Sequence, residues 1–178
     1  MGRTPHQIVN PLSLAEPVGY SHALVVGPGR LVHIGGQVSR RSDGKVAGGS
    51  VVEQFDRALT NVVEALRAAG AEPAHVVDMR VYTTAMRSYR VNSATIGSVY
   101  RRHMGRYYPP MAVVGVTDLW DPDALVELVC TAVVPKPGED GLLDWTEARE
   151  LVEEAEETLV AGPFAVDDEG GEPERARL

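Results

Sequence analysis

The residues able to do chemistry are few in this chain, and their spacing excludes more than it admits. The histidines stand at positions 6, 22, 33, 75 and 103 with no paired spacing, and Cys130 is the only cysteine. Zinc and similar metals need ligands clustered at short, regular intervals, so no metal and no cofactor are expected. Cys130 sits in an apolar run and reads as a small buried hydrophobe, with no second cysteine for an intrachain disulfide. Gly27-Pro28-Gly29 is not followed by a helix opening in Gly-Lys-Ser/Thr, so it is a turn and not a phosphate loop. What remains is Tyr20, which offers a hydroxyl, and His22, two residues on and so on the same face of a strand. His22 is either a proton-transfer group near neutral pH or a half-exposed or core histidine. Gly35 and Gly36 follow, and a glycine pair in a strand either admits a close ligand or chain or bulges to turn the strand.

These residues need elements to hold them. Ala23 to Val26 and Leu31 to Ile34 flank the Gly-Pro-Gly turn and predict a β-hairpin, with residues 1–18 leading in as an irregular, proline-bearing arm. Arg40 to Gly49 is a polar loop. Ser50 and Glu53 form a capping box for a helix whose apolar face is Phe55, Ala58, Leu59, Val62 and Leu66, with Gly70 as its stop. His75 to Thr83 predicts a strand, and Tyr89 to Met104 a second helix stopped by Gly105. Met111 to Val116 and Leu125 to Val134 are further strands, the last with so little alternation that both its faces are expected to be covered. The order β-β-α-β-α-β-β is that of an α+β domain ending near Pro135.

A net charge of −8 opposes nucleic-acid binding, which needs a basic face. No stretch reaches transmembrane length, and the N-terminal residues resemble neither a signal peptide nor a myristoylation site. The chain is expected in the cytoplasm, with no membrane partner. Arg101, Arg102 and Arg106 can bring positive charge to a site, or simply complement a helix C-terminus.

Several blocks in order resemble the RidA/YjgF family of reactive-intermediate deaminases. Gly19-Tyr20-Ser21-His22-Ala23 and Val32-His33-Ile34-Gly35-Gly36-Gln37 resemble its opening strands. Gly44 to Gly49, Gln54 and Asn61, Gly70-Ala71 with Val76-Val77, and Leu125-Val126-Glu127 follow at the family's places. The resemblance covers about Pro17 to Val134. It implies a chorismate-mutase-like homotrimer with a small-molecule cleft between subunits, in which enamines or imines are hydrolysed to ketones and ammonia. It carries over Tyr20 and Glu127 as catalytic residues, with Gly35, Gly36, His22, Met111 and Val113 binding substrate. Glu127 would be a general acid or cation-binding carboxylate, or else a structural glutamate paired with an arginine across the interface.

The departures bear on substrate. The deaminating members carry an arginine for the substrate carboxylate where this chain has Met111, and a thioether offers nothing like a guanidinium fork. The middle helix is about one turn longer, so the family's asparagine falls at Gly97 or, with the insertion placed elsewhere, at Asn92. Val129 replaces a second acid. The expected substrate is therefore a small imine, enamine or related carbonyl compound other than 2-aminoacrylate. The alternative is a non-catalytic trimeric binding or scaffold protein.

Residues 1–137 form the expected domain, and 138–178 an acidic extension with a capped helix at 144–160 and a disordered tail. A chain ending at Pro137 is expected to melt cooperatively and keep the subunit number of the full chain. Loss of cooperative melting in that truncation would make the extension part of the core.

Overall fold

The computed structural model describes residues 4–136, and the expected extension lies outside the described residues. Three short-range features set the helical layer. Ser50 and Glu53 cap α1 (Val51–Ala68) reciprocally: the Ser50 hydroxyl accepts from the Glu53 N–H, and the Glu53 carboxylate accepts from the Ser50 N–H at 3.2 Å. Gly70, at φ +68°, takes the left-handed turn that ends α1. Beyond it, α2 (Met86–Val91) and α3 (Ser93–Met104) replace the single second helix predicted from the sequence. The break falls at Asn92, whose side-chain amide donates to the Ser88 carbonyl at 2.9 Å and so competes with the helix's own bonding.

Four strands form the main sheet in the order β3 (Gly29–Gln37), β6 (Val126–Pro135), β4 (Val76–Thr83), β5 (Met111–Gly115). All pairs are antiparallel except β4–β5. α1 packs on β6 and β3, while α3 lies against α1. The helices bury Ile34, Leu128, Cys130, Met79 and Val81 against Phe55, Leu59, Val62 and Leu66, making one core. The α+β expectation holds.

Two expectations need correction. The predicted hairpin is absent: β2 (Ala23–Val25) pairs with β1 (Gln7–Val9), a strand within the expected irregular arm, and β3 pairs with β6. Pro28 has no N–H to donate across such a turn, and β3 gains a ten-residue partner in β6 instead. The leading arm is tied down by His6, whose Nε2 donates to the Val133 carbonyl at 3.2 Å. Second, β6 does alternate. Val126, Leu128, Cys130 and Ala132 are buried against the helices, whereas Glu127, Val129 and Thr131 are half-buried on the opposite face, which no described helix covers; Val133, in phase with them, is buried where the leading arm reaches the strand. Among the described residues no helix is long and apolar enough to cross a membrane.

Asp56 on α1 joins the two helical layers, accepting from His103 Nε2 at 2.5 Å and Arg102 at 2.6 Å. Burial pushes this carboxyl up, but the hydrogen bonds from His103 and Arg102 outweigh burial and hold it below its ordinary 3.8. A carboxyl depressed in the folded state contributes stability above pH 4 and loses it as pH falls through the folded value. Asp56→Asn is expected to lower stability at pH 5.5 by about 0.5–1 kcal/mol, small because solvent screens the pair. The gap should narrow as pH falls below 4 in chemical denaturation, and a gap independent of pH would contradict this linkage.

Candidate active site

The site begins with a register slip. Between the pairs Ile34–Cys130 and Gln37–Leu128, β3 has two residues, Gly35 and Gly36, where β6 has only Val129. That is a β-bulge, with one extra residue on β3, and it disrupts the ladder locally. The Gln37 side-chain amide closes it by donating to the Gly35 carbonyl at 3.2 Å. Glu127, on the uncovered face of β6, lies across the bulge: a Cβ built on Gly36 would stand 1.7 Å from Glu127 Oε1. The glycine pair therefore makes both a bulge and a close approach, and the approaching group is the carboxylate of the same chain.

Glu127 makes no ion pair and no side-chain hydrogen bond among the described residues. Its cross-strand neighbour on β4 is Tyr82, and Val114 on β5 completes the row. Tyr82 escaped the sequence reading. Its phase opposite Met79 and Val81 in an alternating strand was the available signal.

Tyr20 and His22 do come together, ring edge to ring face with centroids 5.3 Å apart, in the segment just before β2. His22 is committed to that segment, with its N–H on Asn10 Oδ1 at 2.9 Å and Nε2 donating to the Ala15 carbonyl at 2.7 Å. Tyr20 remains at the surface. Ser21 anchors the pair to the approach of β5, donating through Oγ to Tyr108 O at 2.5 Å and through N–H to Pro109 O at 3.3 Å.

Met111 and Val113 are placed differently. Met111 pairs with Met79 and Val113 with Val81, so both lie on the helix side of the sheet, where Met111 packs against the core. Glu127 is on the opposite side. Within one chain the two sets do not share a cleft. Arg102 is engaged by Asp56, and Arg101 donates to Ser98 Oγ at 3.1 Å, so neither supplies charge to Glu127. Cavities of about 530 Å³ beside His75 and His103 and about 450 Å³ around Met86 also lie away from it. Among the described residues no cluster of three or more His, Cys, Asp or Glu is arranged to hold a metal.

A family model described as endoribonuclease L-PSP matches residues 12–134. The chain belongs to the RidA/YjgF family. Among curated relatives of this RidA/YjgF protein, the 2-iminobutanoate/2-iminopropanoate deaminase of Bos taurus is 28% identical over 121 residues, covering 67% of this chain and 84% of that one. The human enzyme of the same name is 30% identical over 101 residues, 56% of this chain and 69% of its own. Among solved structures, YyfB of Yersinia pestis, a Rid-family protein of unknown function, superposes with a TM-score of 0.67 at 32% identity. It is matched over 74% of this chain and all of its own. A putative endoribonuclease from Thermotoga maritima gives 0.54 at 27% identity, over 76% of this chain and all of its own.

Because the obstructing group at Gly36 is the far end of a flexible side chain, Gly36→Ala is expected to cost only about 1 kcal/mol or less in stability. The carboxylate should be displaced, so the Glu127 carboxyl carbon resonance should move. An unshifted resonance would show that the carboxylate does not lie over the bulge.

Proposed function

We propose that this protein hydrolyses a small imine or enamine without a carboxylate, with Glu127 as the proton-transfer group, in a cleft completed by a second copy of the chain. The observation that carries the reading is the unpaired Glu127 carboxylate lying across the Gly35-Gly36 bulge. The named activity of the curated relatives supports the reaction class. Water adds to the C=N carbon while Glu127 removes a proton from it, and the nitrogen gains that proton to give a carbinolamine. Glu127 then takes the hydroxyl proton and returns it to nitrogen as the C–N bond breaks. The products are a carbonyl compound and ammonia, with the carboxylate restored.

The need for a second copy rests on the sheet. On the face that carries Glu127, Val114 in its own cross-strand row is 39% exposed and Leu31, toward the other end of the sheet, is 55% exposed, and exposed apolar side chains on a sheet face call for a partner. Met111 and Val113 reach a cleft containing Glu127 only when they come from another copy. A homotrimer supplies that arrangement three times by symmetry. An apolar Met111 on the second wall then accepts a neutral substituent and offers no clamp to a carboxylate.

A hydrogen bond to a charged group contributes about 1.5–3 kcal/mol, and losing it from the transition state slows reaction by roughly one to two orders of magnitude. On a 2-aminoacrylate-type imine the wild type should release ammonia slower, by that factor, than a relative bearing the arginine. Met111→Arg should narrow the gap. Equal rates for wild type and relative would overturn the substrate assignment. Absence of ammonia release from every imine tested, charged or neutral, would favour the non-catalytic binding protein instead.

A further inference from the structure

We infer that Gln54 and Asn61 are positioning residues for the Gly36–Glu127 pair, acting as a clamp from the far side of the sheet; the inference rests on the proposed role of Glu127. The two amides are seven residues apart, two turns of α1, and so lie on one face. Asn61 Nδ2 donates to the carbonyls of Val38 and Arg40, each at 2.9 Å. Gln54 is buried and uses both ends of its amide: Nε2 donates to Gly48 O at 3.1 Å and Asp123 O at 3.0 Å, and Oε1 accepts from Leu125 N–H at 2.7 Å.

The places held are the ends of the two strands that make the site. Val38 is two residues beyond Gly36, and Leu125 is two residues before Glu127. The two held ends are also joined directly, because Arg40 Nη2 bonds Asp121 Oδ2 at 2.7 Å and Asp121 Oδ1 accepts from Asp123 N–H at 3.1 Å. The bonds close a circuit: α1 to Val38 and Arg40, across to Asp121 and Asp123, and back through Gln54 to α1. When a strand end shifts, the backbone that carries the nearby side chains shifts with it. Releasing either amide therefore changes how the carboxylate meets the bulge without touching the site. A displacement near 1 Å in such a constellation costs about 100-fold in rate.

Asn61→Asp keeps the shape and removes both donors, and Asn61→Ser keeps one donor, which secures a folded variant for comparison. In the intact chain, acting on a neutral imine, Asn61→Asp should lower kcat about 10- to 100-fold with KM within about threefold, and Asn61→Ser should fall between it and the wild type. Amide exchange at Gln37–Arg40 should quicken while the α1 core at Leu59 and Val62 stays protected. Gln54→Leu, which removes donor and acceptor alike, should do the same at Ala124–Glu127. Exchange that quickens throughout, with kcat and KM unchanged in ratio to stability, would reduce both amides to ordinary structural groups and overturn the inference. If the wild type shows no activity, the functional reading fails and exchange alone decides: local quickening upholds the clamp, and unchanged exchange at both strand ends refutes it.

Discussion

The close approach of the Glu127 carboxylate to Gly36 is the interaction on which the geometry of the candidate site depends. Gly36 leaves room for Glu127 Oε1, and that room exists only because β3 and β6 pair antiparallel with a slip between Ile34 and Gln37. The slip in turn needs both strands anchored on either side. The core supplies the anchor: Ile34 and Leu128 face the helices on the two sides of the bulge and are buried against α1. One face of the sheet packs against the helices, and the other carries Glu127. This division explains the alternation in β6, where apolar Leu128 and Cys130 hold the strand down and Glu127 and Val129 stand free of the helices.

Much of this was legible in the sequence because it is local. The Ser50/Glu53 box, the apolar stripe of α1 and the stop at Gly70 are short-range signals, and each forms as read. What was not legible depends on pairing between distant segments. Ala23–Val25 and Leu31–Ile34 look like hairpin partners by proximity, yet β3 finds more backbone partners in β6, about a hundred residues on. The break at Asn92 turns on a side chain choosing a carbonyl four residues back, which periodicity does not encode. At the site, Glu127, Gly35 and Gly36 were found as isolated candidates. Their contact was not, since it requires the register. Tyr82 was missed for the same reason, and so was the separation of Met111 and Val113 from Glu127 by the sheet itself.

The polar groups divide by what they face. Asp56, His103 and Arg102 satisfy one another at the α1–α3 seam, and Gln54 and Asn61 satisfy backbone carbonyls at the strand ends. Glu127, the one acid of β6, stands on the face away from the helices with no cation paired to it among the described residues. A carboxylate in that setting is either to be neutralised by something that binds or used to move protons, and the deaminase relatives favour the second. Under the proposed reading, Met111 bears on the choice of substrate and not on the reaction class.

The most direct measurement is single-turnover ammonia release from a small neutral imine, wild type beside Glu127→Gln. The account predicts release by the wild type and a rate about 10²- to 10⁴-fold lower for the amide, which cannot accept the proton. Equal rates for the two proteins would contradict it.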